Sequence, residues 1–116
     1  MRQLETRKYL FDIVQACELI RQFTAGKSLA DYTTDPMLRS AVERQFEIIG
    51  EALAQALRIA PDLASRISDT GRIIAFRNRL IHGYTSIADD IVWGVLESNL
   101  PNLHREVITL LNEAEM

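Results

Sequence analysis

Arg77, Asn78, Arg79, Leu80, Ile81, His82, Gly83 and Tyr84 form a short polar stretch between two apolar segments. Arg77 brings a rigid, permanently charged fork of donors, suited to holding a phosphate and stabilising the charge that develops on it. His82 brings an imidazole, which exchanges protons near neutral pH, and Tyr84 brings a phenol. An arginine and a histidine are the groups that metal-free RNA cleavage requires. The imidazole takes the 2′-hydroxyl proton, the oxygen attacks the adjacent phosphorus, and the cation steadies the transition state. The expected product is a 2′,3′-cyclic phosphate or its opened form, and DNA, lacking the hydroxyl, is spared.

The spacing sets conditions on that chemistry. At about 100° per residue, side chains five apart face different directions on a continuous helix. Arg77 and His82 therefore converge only if the helix ends between them, and Gly83 is well placed to end it in the left-handed conformation. Each chain supplies one His82, whereas cleavage prefers both a base and an acid; a two-fold dimer would bring two copies to one cleft. A bland alternative stands beside this. A histidine at a helix C-terminus is a good cap, Arg77 can pair with a nearby carboxylate, and on spacing alone that structural role is the favoured one.

Other chemistries find less support. Cys17, His82 and His104 lack metal-ligand spacing, and neither a glycine-rich phosphate loop nor a nucleophile elbow is present. Glu43, Glu47 and Glu51 repeat at i, i+4 like half of a carboxylate bundle site, but no Glu-x-x-His pair accompanies them. A solvated or interfacial helix face is the expected explanation.

The elements that must position residues 77–84 are helical. Leu10, Ile13, Cys17 and Ile20 recur every three or four residues, predicting an amphipathic helix over 4–24 closed at Gly26. Residues 26–28 read as a turn, and Leu29, Ala30 and Tyr32 as a short loop packed back on the core. Asp35 followed by Pro36 marks a helix start; the helix then carries Leu38, Val42, Phe46, Ile49, Leu53 and Ala56 on one face. Gly50 lies in its middle, where glycine costs up to about 1 kcal/mol relative to alanine. A tight helix–helix contact explains it, and so does neutral drift. Pro61 opens a short helical turn through Ile67. Ser68, Asp69 and Thr70 are N-cap candidates for a helix over 71–80 with Ile73, Ile74, Phe76 and Leu80 apolar. Thr85 or Ser86 caps the next, which runs through Ile91, Val95 and Leu96 until Pro101 forces a kink or restart near Asn99. Leu103, Val107 and Leu110 extend the apolar face. The expected fold is all-α, an up-and-down bundle of four to five helices.

Composition sets the outer limits. A chain of 116 residues, 47% hydrophobic and 25% charged, suits one domain over 1–116. No run approaches the roughly 20 apolar residues of a membrane span, and early charges (Arg2, Glu5, Arg7, Lys8) do not suit a signal peptide. The single Cys17 excludes an internal disulfide, and a cytoplasmic setting is expected. The net charge of −3 conceals an asymmetry: residues 58–84 hold five arginines against Asp62 and Asp69, making that stretch +3 and the rest −6. A local basic patch on an acidic body suits a small contact with a phosphate backbone.

The chain resembles the HEPN superfamily, in particular its HepT-like toxin branch. The pattern Arg77-x4-His82-x-Tyr84 carries the resemblance, with the polar Asn78 after the arginine. Residues 41–52, from Ala41 and Val42 through Gly50, Glu51 and Ala52, carry it too, as do the segment around Trp93 and the pair Leu100 and Pro101. It extends over nearly the whole chain. It implies an all-α HEPN fold, a homodimer, and a metal-independent ribonuclease site between subunits, with Arg77 and His82 catalytic and Asn78 supporting them. It implies no cofactor of the chain's own, RNA as substrate, and neither DNA nor membrane as partner. It further implies a toxin–antitoxin pair whose MntA-like nucleotidyltransferase antitoxin uses ATP to transfer AMP onto Tyr84. Phosphate charge and bulk two residues from His82 would neutralise the local positive field. The alternative is a non-catalytic HEPN module that binds substrate or nucleotide for a minimal nucleotidyltransferase.

Overall fold

The apolar periodicities become six α-helices and one 3-10 turn in a computed structural model that describes residues 2–82 and 87–114. Helix α1 (Arg2–Thr24) buries Leu10, Ile13, Cys17 and Ile20, the four positions its spacing marks. It ends in a turn at Gly26, whose φ of 74° is the left-handed conformation that glycine adopts without steric penalty. Cys17 is wholly enclosed, and burial pushes its thiol up to about 12, so the sulfur stays protonated.

Residues 29–34, expected as a loop, are helix α2 (Leu29–Thr34). A capping box builds it: the Asp31 amide donates to the Ser28 hydroxyl at 3.2 Å, and the Ser28 amide donates to the Asp31 carboxylate at 2.9 Å. One and a half turns are too few for apolar periodicity to register, so the cap was the available signal. Tyr32 is fully buried and tilts against Trp93 with ring centroids 5.4 Å apart.

Helix α3 (Pro36–Ile59) begins where expected. The Asp35 side chain accepts from the amides of Met37 and Leu38, each at 3.1 Å, with Pro36 at the first turn. Its six predicted apolar positions are all buried. A 3-10 turn (Pro61–Ser65) leads to α4 (Thr70–Ile81). Asp69 occupies the N-cap position but makes no side-chain cap bond; it is left-handed, at φ 59°. Ser68 instead anchors this junction, its amide and hydroxyl both donating to Glu106, at 3.1 and 2.7 Å.

Helix α5 (Asp89–Ser98) stops before Pro101, and α6 (Leu100–Ala114) restarts after Asn99. The count is thus six where four to five were expected, because α2 is a helix and the proline separates α5 from α6. The break also turns the apolar face. Val92 and Trp93 are the buried residues of α5, while the predicted Ile91 is 47% exposed. Leu103, Val107 and Leu110 are buried on α6 as expected. In the bundle α1 packs on α3 and α6, α4 lies on α3, and α5 lies on α6 and α2. Among the described residues there is no strand, and no helix is long and apolar enough to cross a membrane.

Candidate functional site

Arg77 lies near the end of α4, on the seam that this helix shares with α3. Three consecutive contacts make the seam. Phe76 meets Phe46 edge to face, with centroids 5.3 Å apart and an interplanar angle of 88°. One turn along α3, the stem of Arg77 lies directly on Gly50: a Cβ at that position would overlap the Cβ and Cγ of Arg77, and the Arg77 Cα would be 3.6 Å away. The mid-helix glycine thus marks a close helix–helix approach, and what approaches is the arginine. Finally Arg77 Nη1 donates to Glu51 Oε2.

This pairing alters the reading of the acidic face of α3, which is not uniformly solvated. Glu47 takes Arg44 at 3.4 Å. Glu43 is half-buried; desolvation, reinforced by Asp89 and Glu47 and opposed by Arg39, raises its carboxyl above the ordinary value. Glu51 is the partner of Arg77, and its other oxygen accepts from Gln55 Nε2 at 3.1 Å. The Arg77 side chain is 16% exposed, and its Nε is buried without a hydrogen-bond partner among the described residues. Periodicity gave no reason to single out Glu51 from Glu43 and Glu47. The signal that distinguishes it is its place directly after the one glycine inside α3.

His82 is the residue on which α4 stops. Its amide donates to the Asn78 carbonyl at 3.0 Å, and its φ of −90° and ψ of 7° leave the helical region. The helix therefore ends immediately before His82, as convergence with Arg77 requires. The ring is exposed and makes no hydrogen bond among the described residues. Asn78 is also exposed, on the last turn. Tyr84 lies outside the described residues, as do Gly83 and the cap candidates Thr85 and Ser86. Arg77 is thus held firmly on the protein body, His82 stands at the open helix end, and no bond joins the two side chains.

The neighbouring surfaces differ in charge: the hollow against Glu51 and Ile81 is lined also by Asp12, Arg44 and Glu47, whereas the far face of α4 is basic and apolar. Of the arginines in the basic stretch, Arg66 pairs with Glu113 at 2.6 Å and Arg58 donates to Gln55. Arg72 and Arg79, both exposed on α4, form no ion pair among the described residues. They rim a groove of about 330 Å³ whose floor includes Phe46, Ile73, Phe76 and Leu103. No residue of α4 is fully buried, and Ile81 is 49% exposed beside the site.

Residues 13–110 match the family described as ribonuclease HepT-like. A protein of Caldanaerobacter subterraneus named "Putative RNase" is 32% identical over 107 residues, spanning 92% of this chain and 95% of that one. The "Probable ribonuclease HepT" of Thermococcus cleftensis is 32% identical over 101 residues, spanning 84% and 87%. No solved structure matches the chain.

Proposed function

Because the chain belongs to the HepT-like ribonuclease family, we propose that it is a metal-independent endoribonuclease acting through Arg77 and His82. The observation that most supports this is the arrangement at the end of α4. A guanidinium is braced on the glycine of a neighbouring helix, and an exposed imidazole stands where the helix stops. His82 takes the proton of a 2′-hydroxyl, the freed oxygen attacks the adjacent phosphorus, and the bond to the 5′-oxygen breaks. The leaving oxygen collects a proton from a second acid. Arg77 stabilises the charge that builds on the non-bridging oxygens, and Asn78, exposed beside it, supplies a further donor. The products are a 2′,3′-cyclic phosphate and a 5′-hydroxyl.

One chain supplies one such imidazole, so the reading includes a homodimer in which His82 of the partner subunit is the acid. The incompletely covered α4, with Ile81 exposed at the site's edge, supports a second copy there. The reading also includes control by a nucleotidyltransferase antitoxin. Attack of the Tyr84 phenol on the α-phosphate of ATP releases pyrophosphate and leaves AMP two residues from His82, adding negative charge where RNA must approach.

Cleavage of RNA by the purified protein in excess chelator, with end-group analysis of the fragments, tests the reaction. Arg77→Ala is expected to lose roughly 10²–10³-fold in rate and His82→Ala roughly 10²–10⁴-fold. The exposed His82 should leave the unfolding curve unchanged, whereas loss of the Arg77 stem from Gly50 should lower stability without preventing folding. A folded His82→Ala that cleaves at the native rate would remove the catalytic assignment. Mass spectrometry after co-expression with the antitoxin tests the modification. AMP is expected on the peptide containing Tyr84; AMP confined to other peptides counts against it.

A further inference from the structure

The Arg77–Glu51 pair is not accounted for by the chemistry just described, because a guanidinium meant for phosphate already holds an anion. We propose that Glu51 is the resting counter-ion of Arg77, and that the phosphate of the RNA binds by displacing it. The proposal rests on the ribonuclease reading above and names the contact which that reading must break.

Three observations carry it. Carboxylate and phosphate are alternative partners for the same edge of a guanidinium, and Glu51 occupies Nη1. The two partners differ in freedom: Arg77 is 16% exposed with its stem against Gly50, whereas Glu51 is 54% exposed and can swing into water. Displacement therefore moves the whole glutamate side chain, while the stem of Arg77 stays on Gly50 and only its guanidinium reorients. Lastly, the resting pair leaves Arg77 Nε buried and unpartnered. A phosphate, with more acceptor oxygens than one carboxylate contact offers, can engage that donor once the guanidinium turns. Glu51 is itself tethered, since Gln55 donates to its Oε1 and is in turn held by Arg58 Nη1 at 3.3 Å. The latch thus closes on α3 when no RNA is bound.

The test measures binding of a fully 2′-O-methylated mixed-sequence RNA, which cannot be cleaved, across a salt series. Glu51→Gln is expected to bind roughly fivefold more tightly, equivalent to about 1 kcal/mol. Its salt dependence should steepen by up to roughly 0.7 in log–log slope, the share of one phosphate contact on a single strand. Both gains must vanish in the double variant Glu51→Gln, Arg77→Ala. Glu51→Asp, which keeps the charge, must not show them, and Glu47→Gln, which removes a neighbouring charge without touching Arg77, must not reproduce the steeper slope. If Glu51→Gln folds poorly, Gln55→Ala loosens the same carboxylate and is expected to shift binding in the same direction, by less. Glu51→Gln binding no tighter than the native chain overturns the proposal, as does a gain that survives loss of Arg77. Cleavage of ordinary RNA separates this from the parent reading. An inactive Arg77→Ala with an unaltered Glu51→Gln removes the latch alone, whereas an Arg77→Ala that still cleaves removes both.

Discussion

Glu43 and Glu51 lie two turns apart on one face of α3 and meet opposite surroundings. Glu51 has a cation against it. Glu43 is half-buried beside Asp89, and its carboxyl is raised chiefly by lost hydration. A carboxyl raised in the fold favours folding when protonated and opposes it when charged. Below the unfolded value of about 4.3 both states carry the proton and the penalty is absent; it develops as pH climbs through the raised folded value and is full at neutrality. Glu43→Gln is therefore expected to raise the unfolding midpoint at pH 7 and to leave it nearly unchanged at pH 3.5. Thermal unfolding of both proteins at the two pH values checks this, and an equal gain at each would point to packing instead of charge. Within the stretch 77–84 the residue types on which the proposed chemistry draws were legible. That Glu51 meets Arg77 was not, since 26 positions separate them in sequence.

At the scale of elements, the two helices that build the site start differently. The Asp35 side chain caps α3 with two hydrogen bonds, while Asp69 stands at the start of α4 left-handed and without a cap bond. Asp35→Ala is expected to cost about 1 kcal/mol. Asp69→Gly is expected to stabilise by roughly 0.5 kcal/mol, since glycine takes positive φ without a Cβ penalty. Urea unfolding of the two variants measures both signs. A destabilising Asp69→Gly would mean that the carboxylate of Asp69 matters more to α4 than its backbone conformation does. The contrast explains why Asp35 with Pro36 gave a correct helix start from sequence, whereas three cap candidates at 68–70 did not show which would act. Ser68 found its partner in Glu106, on a helix 38 residues away.

At the scale of the molecule, α4, which bears Arg77 and Asn78 and ends at His82, is among the described residues the one α-helix with no buried residue. Its Ile81 is 49% exposed, and an apolar groove rimmed by Arg72 and Arg79 runs beside the helix. A second copy against α4 would cover this surface and bring a second imidazole to the cleft. On the proposed homodimer, Ile81→Glu, placed where a charge costs the monomer little, is expected to leave the protein monomeric where the native chain pairs. RNA cleavage should fall at least tenfold while the unfolding curve stays close to native. Light scattering on a concentration series gives the mass, and a dimeric Ile81→Glu would exclude Ile81 from the interface.

The sequence by itself determined the all-helical class, the core faces of α1, α3 and α6, the break at Pro101 and the residue types on which the proposed reaction draws. Those features follow from local rules: apolar spacing, proline geometry and the functional groups of adjacent side chains. Tertiary structure alone decided that Gly50 serves Arg77, that Glu51 holds its guanidinium, and that Val92 and Trp93 replace Ile91 in the core. Such outcomes depend on which helix lies against which and at what distance, and periodicity along one helix does not contain that information. In the proposed reaction the stretch 77–84 supplies the reactive groups, but the placing of its arginine is the work of α3.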